Sequence, residues 1–320
     1  MPVHDLGYRK WVGKRNHQLI RPLYVARSGI TLIWRRRMLK LLLMLAWLPI
    51  AIPAIGIFCF EQGVTDMTYR RVIIRTLQGP MERPDLAAQM LQDPVSVRHE
   101  VWSTLILGFF RVPQLYSMVL LIGLIAPLLI SYDLRSKAYL QYFSRPLSPN
   151  EYIVGKSAVI WFFLGMITTL PGLTLYLLGV LLSPEISVVG MTWDIPLRIL
   201  IASVALIVPT TALAIGYSAC TVENRYASFA WFATWIMGSV AYQVLTNAPR
   251  MGRGRRPRMD VDTERWLLVS PYHTLGKVET WIFGLDTGDS SVWPAVLILL
   301  AVIVIGTLFV RSRLIGKLSV

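Results

Sequence analysis

Acidic side chains are scarce in this 320-residue sequence, and other scarcities narrow the class of protein further. Asp and Glu number 18 against 32 Lys and Arg, and charged residues together make up 16% of the chain. Soluble domains carry roughly 25% charged residues, whereas 54% of this chain is hydrophobic and its mean hydropathy is +0.53. The composition excludes an ordinary soluble domain and indicates a membrane protein.

Cysteine and histidine are also rare, which limits disulfide, metal and catalytic chemistry. In the topology predicted below, Cys59 and Cys220 fall near opposite faces of the membrane, so we expect no disulfide between them. The four histidines lie outside those runs and form no HExxH helix. The stretch GYRKWVGKR at 7–15 is not a phosphate loop, because it has one residue too many between its glycines and Arg15 where a magnesium ligand must stand. We expect no enzyme activity, cofactor or metal in this chain.

Long apolar runs predict an all-α polytopic membrane protein with six transmembrane helices. A helix crosses the roughly 30 Å hydrocarbon core with about 20 mostly apolar residues. The runs of that length cover residues 39–60, 112–132, 157–182, 197–219, 227–247 and 292–310. Residues 102–110 are apolar too, and we interpret them as an interfacial or re-entrant lead-in to the second run. The prediction gives a basic N-terminal segment at 1–38, a membrane domain at 39–310 and a cytoplasmic tail at 311–320.

The distribution of Lys and Arg predicts that both termini face the cytoplasm. Residues 1–40, the loop at 133–156, Arg225 and the tail together hold eighteen basic residues, against twelve in the long loops at 61–101 and 248–290. The positive-inside rule places the richer side in the cytoplasm. The net charge of +14 then reflects topology and attraction to anionic lipid headgroups. No nucleic-acid motif accompanies it, so we expect no nucleic-acid partner.

Short amphipathic segments flank the predicted spans. Leu19, Leu23, Ala26, Ile30 and Ile33 recur at helical spacing before the first span, which predicts a basic helix lying in the membrane interface. The alternative is a simple topogenic flank. In the outer loops, residues 70–77 and 85–91 look helical, and a capped turn is expected before Pro271.

The predicted spans contain essentially no charged side chains, although ion and proton pathways usually need them. We therefore expect the energy for any transport to come from elsewhere. The remaining polar side chains are hydroxyls, which either bond within and between helices or contact a substrate. The candidates for a substrate pathway are Thr168, Thr169, Thr210 and Thr211.

The loop after the second span, SYDLRSKAYLQYFSRPLSPNEYIVGK, is charged, aromatic and bounded by prolines. Asp133 is suited to begin a helix that runs to Ser144 and that Pro146 ends. One face of that helix would carry Leu134, Ala138, Tyr139, Tyr142 and Phe143. Such a helix either fits into a groove of a partner protein or lies flat on the headgroups.

Six spans, a basic amphipathic helix before the first, and the loop IAPLLISYDLRSKAYLQYFSRPLSPNEYIVGK resemble the permease subunits of ABC-2-type exporters. In that family an acidic residue followed by Arg opens the loop, and a Pro-containing turn and a Gly-Lys pair close it. The matching residues here are Asp133, Arg135, Arg145, Pro146, Tyr152, Gly155 and Lys156. Many relatives have Glu at the position of Asp133. The opening DLGYRKWVGKR also resembles a bacterial subgroup of these permeases.

The resemblance implies that residues 133–145 form a coupling helix in a cleft of a separate ATPase subunit, which binds the ATP and magnesium. The implied docking residues are Asp133, Arg135, Tyr139, Tyr142, Phe143, Arg145 and Pro146. The implied assembly has two ATPases and two permeases, the second a copy or a paralogue, in the bacterial inner membrane. The alternative is a membrane scaffold that binds a cytoplasmic partner without transport. The sequence leaves the substrate open among small hydrophobic compounds, lipids, peptides and glycans.

Overall fold

The computed structural model describes residues 20–79, 83–143, 147–184, 187–247, 263–286 and 291–318, and every regular element in them is helical. In chain order the helices are α1 (Arg21–Trp34), α2 (Arg37–Thr65), α3 (Met67–Gln78), α4 (Pro84–Gln92), α5 (Arg98–Arg135), α6 (Tyr139–Phe143), α7 (Pro149–Leu182), α8 (Ser187–Cys220), α9 (Asn224–Asn247), α10 (Thr263–Leu267), α11 (Pro271–Ile282) and α12 (Trp293–Leu318). The predicted all-α class is confirmed for these residues.

Five of these helices, α2, α5, α7, α8 and α12, are long and apolar enough to cross a membrane. They coincide with five of the six predicted spans. The other predicted span, at 227–247, falls on α9, a continuous helix of 24 residues that is not among the five. Its Trp, Tyr, Gln and Thr side chains make it less apolar than the rest.

The helix of the second span is much longer than the apolar run indicated. It extends over 38 residues from Arg98 to Arg135, so residues 102–110 are part of the helix and our interpretation of them as a separate lead-in was wrong. A π-helical segment at Gln114–Met118 and a 3-10 segment at Ala126–Leu128 interrupt the regular α-helix. Irregular turns of this kind are common at functional sites, and Pro127 accounts for the second one.

The start of α7 is fixed by its own sequence. The Glu151 amide donates to Ser148 Oγ at 3.2 Å, and the Glu151 carboxylate accepts from the Ser148 amide at 2.7 Å. This capping box satisfies two amides that the helix itself cannot, and Pro149 stands at the first helical position, where its missing N–H costs nothing. The loop that precedes α7 therefore ends sharply at Ser148.

Helix α1 packs against α7 along a face that overlaps the predicted one. Its buried residues are Val25, Ala26, Gly29 and Ile33, and Ala26 and Ile33 belong to the predicted apolar face. Leu23, which we also expected there, is 62% exposed. A Cβ at Gly29 would lie 2.6 Å from Val159 Cγ2, which shows how closely the two helices approach. Val25 and Gly29, which the apolar pattern left out, complete the contact.

Two hydrophobic clusters stack along the bundle. One contains Ile33, Leu134, Tyr152 and Leu314, at the end where α5 finishes and α7 begins. The other contains Phe60, Leu86, Trp102, Phe110 and Phe283, at the opposite end. The helices α3 and α4, predicted at 70–77 and 85–91, are confirmed, and they bury Leu77, Leu86 and Met90 in the second cluster.

The segment 263–286, which we expected in an outer loop, packs into the bundle. Helix α11 packs among α8, α9 and α12, and its Glu279 is completely buried. At its far end Arg198 Nη1 donates to Ile282 O at 3.2 Å, while Thr274 lies level with Thr210 of α8. Residues 198 and 210 are about 18 Å apart along an α-helix, so α11 reaches deep between the spans. The basic stretch at 252–258 lies outside the described residues.

Candidate functional site

The segment that follows the apolar part of α5 turns sharply instead of forming one helix. The last turn of α5 ends at Arg135, and α6 begins at Tyr139. Between them Lys137 has φ 56°, in the left-handed region that a continuous helix does not use. The prediction of one helix from Asp133 to Ser144 was therefore wrong. We call residues 131–143 the connecting segment.

Asp133 is an interior residue of the connecting segment and not the exposed start of a helix. It is 6% exposed, and its Oδ2 lies 2.6 Å from Lys156 Nζ. Tyr152 donates its hydroxyl to the same oxygen at 2.7 Å. Tyr152 and Lys156 stand four residues apart on α7, so they share one helix face. A buried carboxylate, an ammonium and a phenol thus join α5 to α7.

A second set of hydrogen bonds ties the same place to α8. The Ser218 hydroxyl donates to Ala126 O at 2.8 Å, beside the 3-10 turn that Pro127 introduces. Ser131 donates its own hydroxyl to Ser218 O at 2.7 Å, and its amide donates to Ser218 Oγ at 3.0 Å. The GYSAC sequence at 216–220 therefore serves helix packing. The connecting segment is held on two sides, by α7 and by α8.

Two of the aromatic side chains expected to face a partner contact the bundle instead. Tyr139 and Tyr142 are half-buried against the first hydrophobic cluster, and the ring centroid of Tyr142 lies 5.4 Å from that of Tyr152. Lys156 Nζ sits 5.3 Å from the Tyr142 ring centroid, within cation–π range. An amphipathic pattern does not tell which surface covers its apolar face, and here the protein's own spans cover it.

A different set of side chains forms the outer surface of the connecting segment. Tyr132 is 47% exposed and Leu140 is 51% exposed. Arg135 is also exposed and lies 3.7 Å from Glu223 at the start of α9. Arg145, Pro146 and the side chain of Phe143 lie outside the described residues. Docking through any of these residues stays a prediction.

The bundle buries several charged side chains, and each of them has an opposite charge close by. Along α5, Arg98 pairs with Glu61 at 3.1 Å, Arg111 with Glu279 at 3.7 Å and Asp133 with Lys156 at 2.6 Å. All six side chains lie outside the bounds predicted for the spans, so the expectation that the spans carry essentially no charge is unaffected. The buried charges lie instead at the ends of α5 and at its contact with α11. Opposite charges placed together avoid most of the cost of burial.

The end of α5 opposite the connecting segment has its own polar cluster. Arg98 contacts both carboxylate oxygens of Glu61, at 3.1 and 3.2 Å, and Trp102 Nε1 donates to Glu61 at 3.1 Å. Beside it, His99 Nε2 lies 2.9 Å from Asp194 Oδ1. This cluster fixes α5 to α2 and α8. Sequence reasoning did not single out these residues, although Glu61 at the end of an apolar run was a usable signal.

The four hydroxyls proposed for a substrate pathway do not behave alike. Thr168 donates to Leu164 O at 2.8 Å, the ordinary bond within a helix, and Thr169 is half-buried next to it. Thr210 and Thr211 are buried, and their hydroxyls have no hydrogen-bond partner among the described residues. They line two separate cavities rather than one pathway. Hydrogen bonding of the hydroxyl within its own helix is thus confirmed for Thr168, and it is wrong for Thr210 and Thr211.

The fold and the apolar helices define a polytopic α-helical membrane protein whose buried charges hold the ends of its helices together. No protein-family model matches the chain, and no curated protein matches it significantly. Across the part of the chain that the structure describes, no group of three or more His, Cys, Asp or Glu side chains is placed to hold a metal ion. The function must therefore be argued from the connecting segment and its anchors.

Proposed function

We propose that this chain is the membrane-spanning permease subunit of an ATP-driven exporter of the ABC-2 type, driven by a separate ATPase that binds the connecting segment. In this proposal α9 is a sixth span, both termini face the cytoplasm of a bacterium, and the protein lies in its inner membrane. Two permease chains, identical or paralogous, work with two ATPase subunits that hold the ATP and magnesium.

The observation that carries the proposal is the way the connecting segment is attached. Its outer surface, with Tyr132 and Leu140, is exposed, while Asp133 beneath it is bonded to α7 and Ser131 to α8. Force applied at the surface would therefore reach three long helices at once. A segment that served only as a loose linker would not need a buried ion pair.

Helix α5 supports the second step of the proposal, in which movement passes to the other side of the membrane. A helix of 38 residues is about 57 Å long. Its far end is bonded to α2 through Glu61 and to α8 through Asp194. The π-helical and 3-10 segments between the two ends are the places where such a helix bends. Movement of the connecting segment would thus reach the opposite end of α2 and α8.

The test is to purify the affinity-tagged chain from its native membranes and to identify a bound subunit with ATPase activity. Leu140→Asp places a charge on the exposed surface and should release that ATPase or uncouple its turnover from transport, with the chain still inserted. Leu91→Asp, at an equally exposed leucine on α4, is the matched control and should change neither.

Retention of the ATPase with unchanged turnover in Leu140→Asp would exclude docking at this surface. The scaffold alternative predicts a bound partner whose ATP turnover is the same with and without this chain. A turnover that depends on the chain, and that Leu140→Asp alters, favours the exporter.

A further inference from the structure

A half-open cavity of ≈90 Å³ lies between α8, α9, α11 and α12. Its wall is mostly apolar and includes Leu213, Leu275, Leu299 and Val302, with three polar residues, Thr210, Trp235 and Thr274. A volume of this size holds about three water-sized groups. The cavity can therefore take a small functional group with the first few carbons of a chain, but not a whole drug-sized molecule.

Two of the three polar residues, Thr210 and Trp235, carry a hydrogen-bond donor without a partner, whereas the Thr274 hydroxyl is bonded to Ser270 O at 3.0 Å. Trp235 is 5% exposed and Thr210 is 3% exposed, and across the described residues nothing accepts from Trp235 Nε1 or bonds to Thr210 Oγ1. One turn earlier on α9, Trp231 Nε1 donates to Val119 O at 2.8 Å, as a buried indole normally does. A buried polar group left without a partner is costly and needs an explanation.

Thr210, like its neighbour Thr211, lacks the hydrogen bond that other threonines of the long helices make. Thr168, Thr192 and Thr234 each donate to the carbonyl four residues earlier, at 2.8 to 2.9 Å. Thr210 follows Pro209 in the middle of α8 and lines the cavity together with Trp235. Its hydroxyl is therefore available to donate to a group bound there.

The N-terminus of α11 lies at the same cavity. Pro271 and Thr274, in the first turn of this 12-residue helix, line the wall. Neither offers a free amide, because proline has no N–H and the Thr274 amide donates to Ser270 O at 2.9 Å. This end of the helix contributes instead the partial positive charge of the helix dipole. The positive end of α11 therefore faces a cavity whose wall already holds an unpaired indole N–H and an unpaired hydroxyl.

Donors at one place and an otherwise apolar wall define the chemistry of the ligand. The polar part must present an acceptor oxygen, and the rest must be hydrocarbon. Ile298, Leu299 and Val302 of α12 form one side of the cavity, and only 11% of the apolar window of α12 is buried inside the protein. A chain longer than the cavity can therefore leave past α12 into the surrounding bilayer.

We propose that this cavity binds the carbonyl end of an acyl-chain amphiphile, with a carboxylate or ester oxygen accepting from Trp235 Nε1 and Thr210 Oγ1 near the positive end of α11. The hydrocarbon chain lies against α12. The site requires no ATPase and no transport, so it is independent of the function proposed above. A free fatty acid and the ester of a membrane phospholipid share this chemistry, and the probes below separate the two sources.

The test uses the purified full-length chain in detergent micelles and photoreactive probes with a diazirine close to the polar end. The probes are hexadecanoic acid, its methyl ester, a phosphatidylcholine that carries the same acyl chain, and the corresponding hexadecane. Crosslinked residues are mapped by mass spectrometry. We expect saturable labelling around Leu268–Leu275 and Ile298–Val302 by at least one carbonyl-bearing probe, and none there by the hexadecane. Labelling by the acid alone identifies a fatty-acid site, and labelling by the phosphatidylcholine identifies a phospholipid site.

Variants decide whether the two donors bind the probe. Thr210→Val and Trp235→Phe should each reduce the labelling about fivefold, the usual effect of one lost hydrogen bond. The matched controls are Thr174→Val, whose hydroxyl is bonded to Leu170 O at 2.8 Å, and Trp281→Phe, which is 50% exposed. Both should label like the unmodified chain. Thr210→Val removes an unsatisfied polar group, so its thermal stability should stay equal or rise while its labelling falls.

Leu299→Trp gives a second way to close the site, because the larger side chain fills the cavity while both donor residues are kept. Labelling there should be lost. The proposal is overturned by labelling that the hexadecane equals, by labelling only elsewhere on the chain, or by equal labelling of Thr210→Val, Trp235→Phe and their controls.

Discussion

Asp133 and Lys156 form an ion pair with 2.6 Å between Oδ2 and Nζ, and their side chains are only 8% and 5% exposed. This pair joins the end of α5 to the beginning of α7, directly beneath the exposed surface of the connecting segment. A buried pair is not by itself a source of great stability, but removal of one partner leaves an uncompensated charge in a medium of low dielectric constant. The pair therefore makes the position of the segment depend strongly on two side chains.

Lys156→Met should destabilise the protein by about 3 kcal/mol, because it leaves the Asp133 carboxylate with only the Tyr152 hydroxyl. The combined variant Asp133→Asn, Lys156→Met should cost much less than the sum of the two single changes. Equilibrium unfolding in mixed micelles measures both. Arg135→Met is the control: its pair with Glu223 is 3.7 Å long and solvent-exposed, so it should cost about 0.5 kcal/mol or less. Additive losses in the combined variant would show that the two side chains do not interact.

The cluster at the opposite end of α5 gives a second prediction. Glu61→Gln keeps an acceptor for Trp102 Nε1 but leaves the Arg98 guanidinium buried without its counter-charge. We expect a loss of about 3 kcal/mol in the same unfolding assay. Asp85→Asn breaks the Arg83–Asp85 pair on the outer surface, where Asp85 is 52% exposed, and should cost well under 1 kcal/mol. Equal effects of the two changes would contradict the burial of the first pair.

The long spans could be predicted from the sequence because length and hydropathy are local properties. The backbone N–H and C=O groups of a run of about 20 apolar residues must be hydrogen-bonded within a helix when the run crosses a membrane, whatever the helix packs against. The same reasoning located α3 and α4, whose helical patterns are complete within a dozen residues. Helix α9 was predicted for the same reason, although its aromatic and polar side chains make it the least apolar of the long helices.

The candidate site was much harder to predict, because its contacts join residues far apart in the chain. Asp133 and Lys156 are 23 positions apart, and no pattern within either helix states that they meet. Lys137 has a positive φ, which no residue-type rule requires of lysine. For the connecting segment, the usable signal was the spacing of Tyr152 and Lys156, which places a phenol and an ammonium on one face at the beginning of an apolar helix. Side chains of that kind need a buried acceptor.

The close contact between α1 and α7 predicts the effect of a single added methyl group. A Cβ at Gly155 would lie 2.7 Å from Val25 Cβ and 2.8 Å from Pro22 O, and the latter is backbone that cannot move by rotation of a side chain. Gly155→Ala should therefore push α1 away and cost about 1 to 3 kcal/mol. Trypsin should then cut faster after Arg27, which a limited-proteolysis time course measures.

Gly108→Ala on α5 is the control for this change. Nothing lies within 4 Å of the added Cβ, so alanine should raise stability slightly through its better helix propensity. If Gly155→Ala behaved like Gly108→Ala, with unchanged cleavage in α1, the close packing of α1 on α7 would be wrong.

His273 predicts a dependence of stability on pH. Burial, with a contribution from the nearby Arg111 guanidinium, lowers the pKa of this imidazole from 6.5 to about 4. The unfolded chain therefore takes up a proton at higher pH than the folded chain does. The free energy of unfolding is therefore highest above pH 6.5, and it declines as the pH falls toward 4. The imidazole is part-exposed, so we expect an effect of about 1 kcal/mol at most.

His273→Gln removes the titrating group and should make the apparent melting temperature fall less between pH 7 and pH 4.5 than in the unmodified chain. Differential scanning fluorimetry in detergent at several pH values measures the two curves. His99→Gln is a useful comparison, because it changes a histidine on another helix that lies beside Asp194 instead of Arg111. Parallel curves for His273→Gln and the unmodified chain would contradict a lowered pKa.

The two ends of α5 should lie on opposite sides of the membrane, and cysteine labelling tests this directly. Gln78→Cys, at the end of α3, and Ser136→Cys, in the turn of the connecting segment, are exposed positions separated by the whole length of α5. The native Cys220 is exposed and is first changed to serine, whereas Cys59 is buried and can stay. An impermeant maleimide should label Gln78→Cys in intact cells and Ser136→Cys only in inverted vesicles, because the basic residues around the connecting segment favour the cytoplasm. Labelling of both positions from one side would mean that α5 does not cross the membrane, and the reverse pattern would place the connecting segment outside the cell, where no ATPase could bind it.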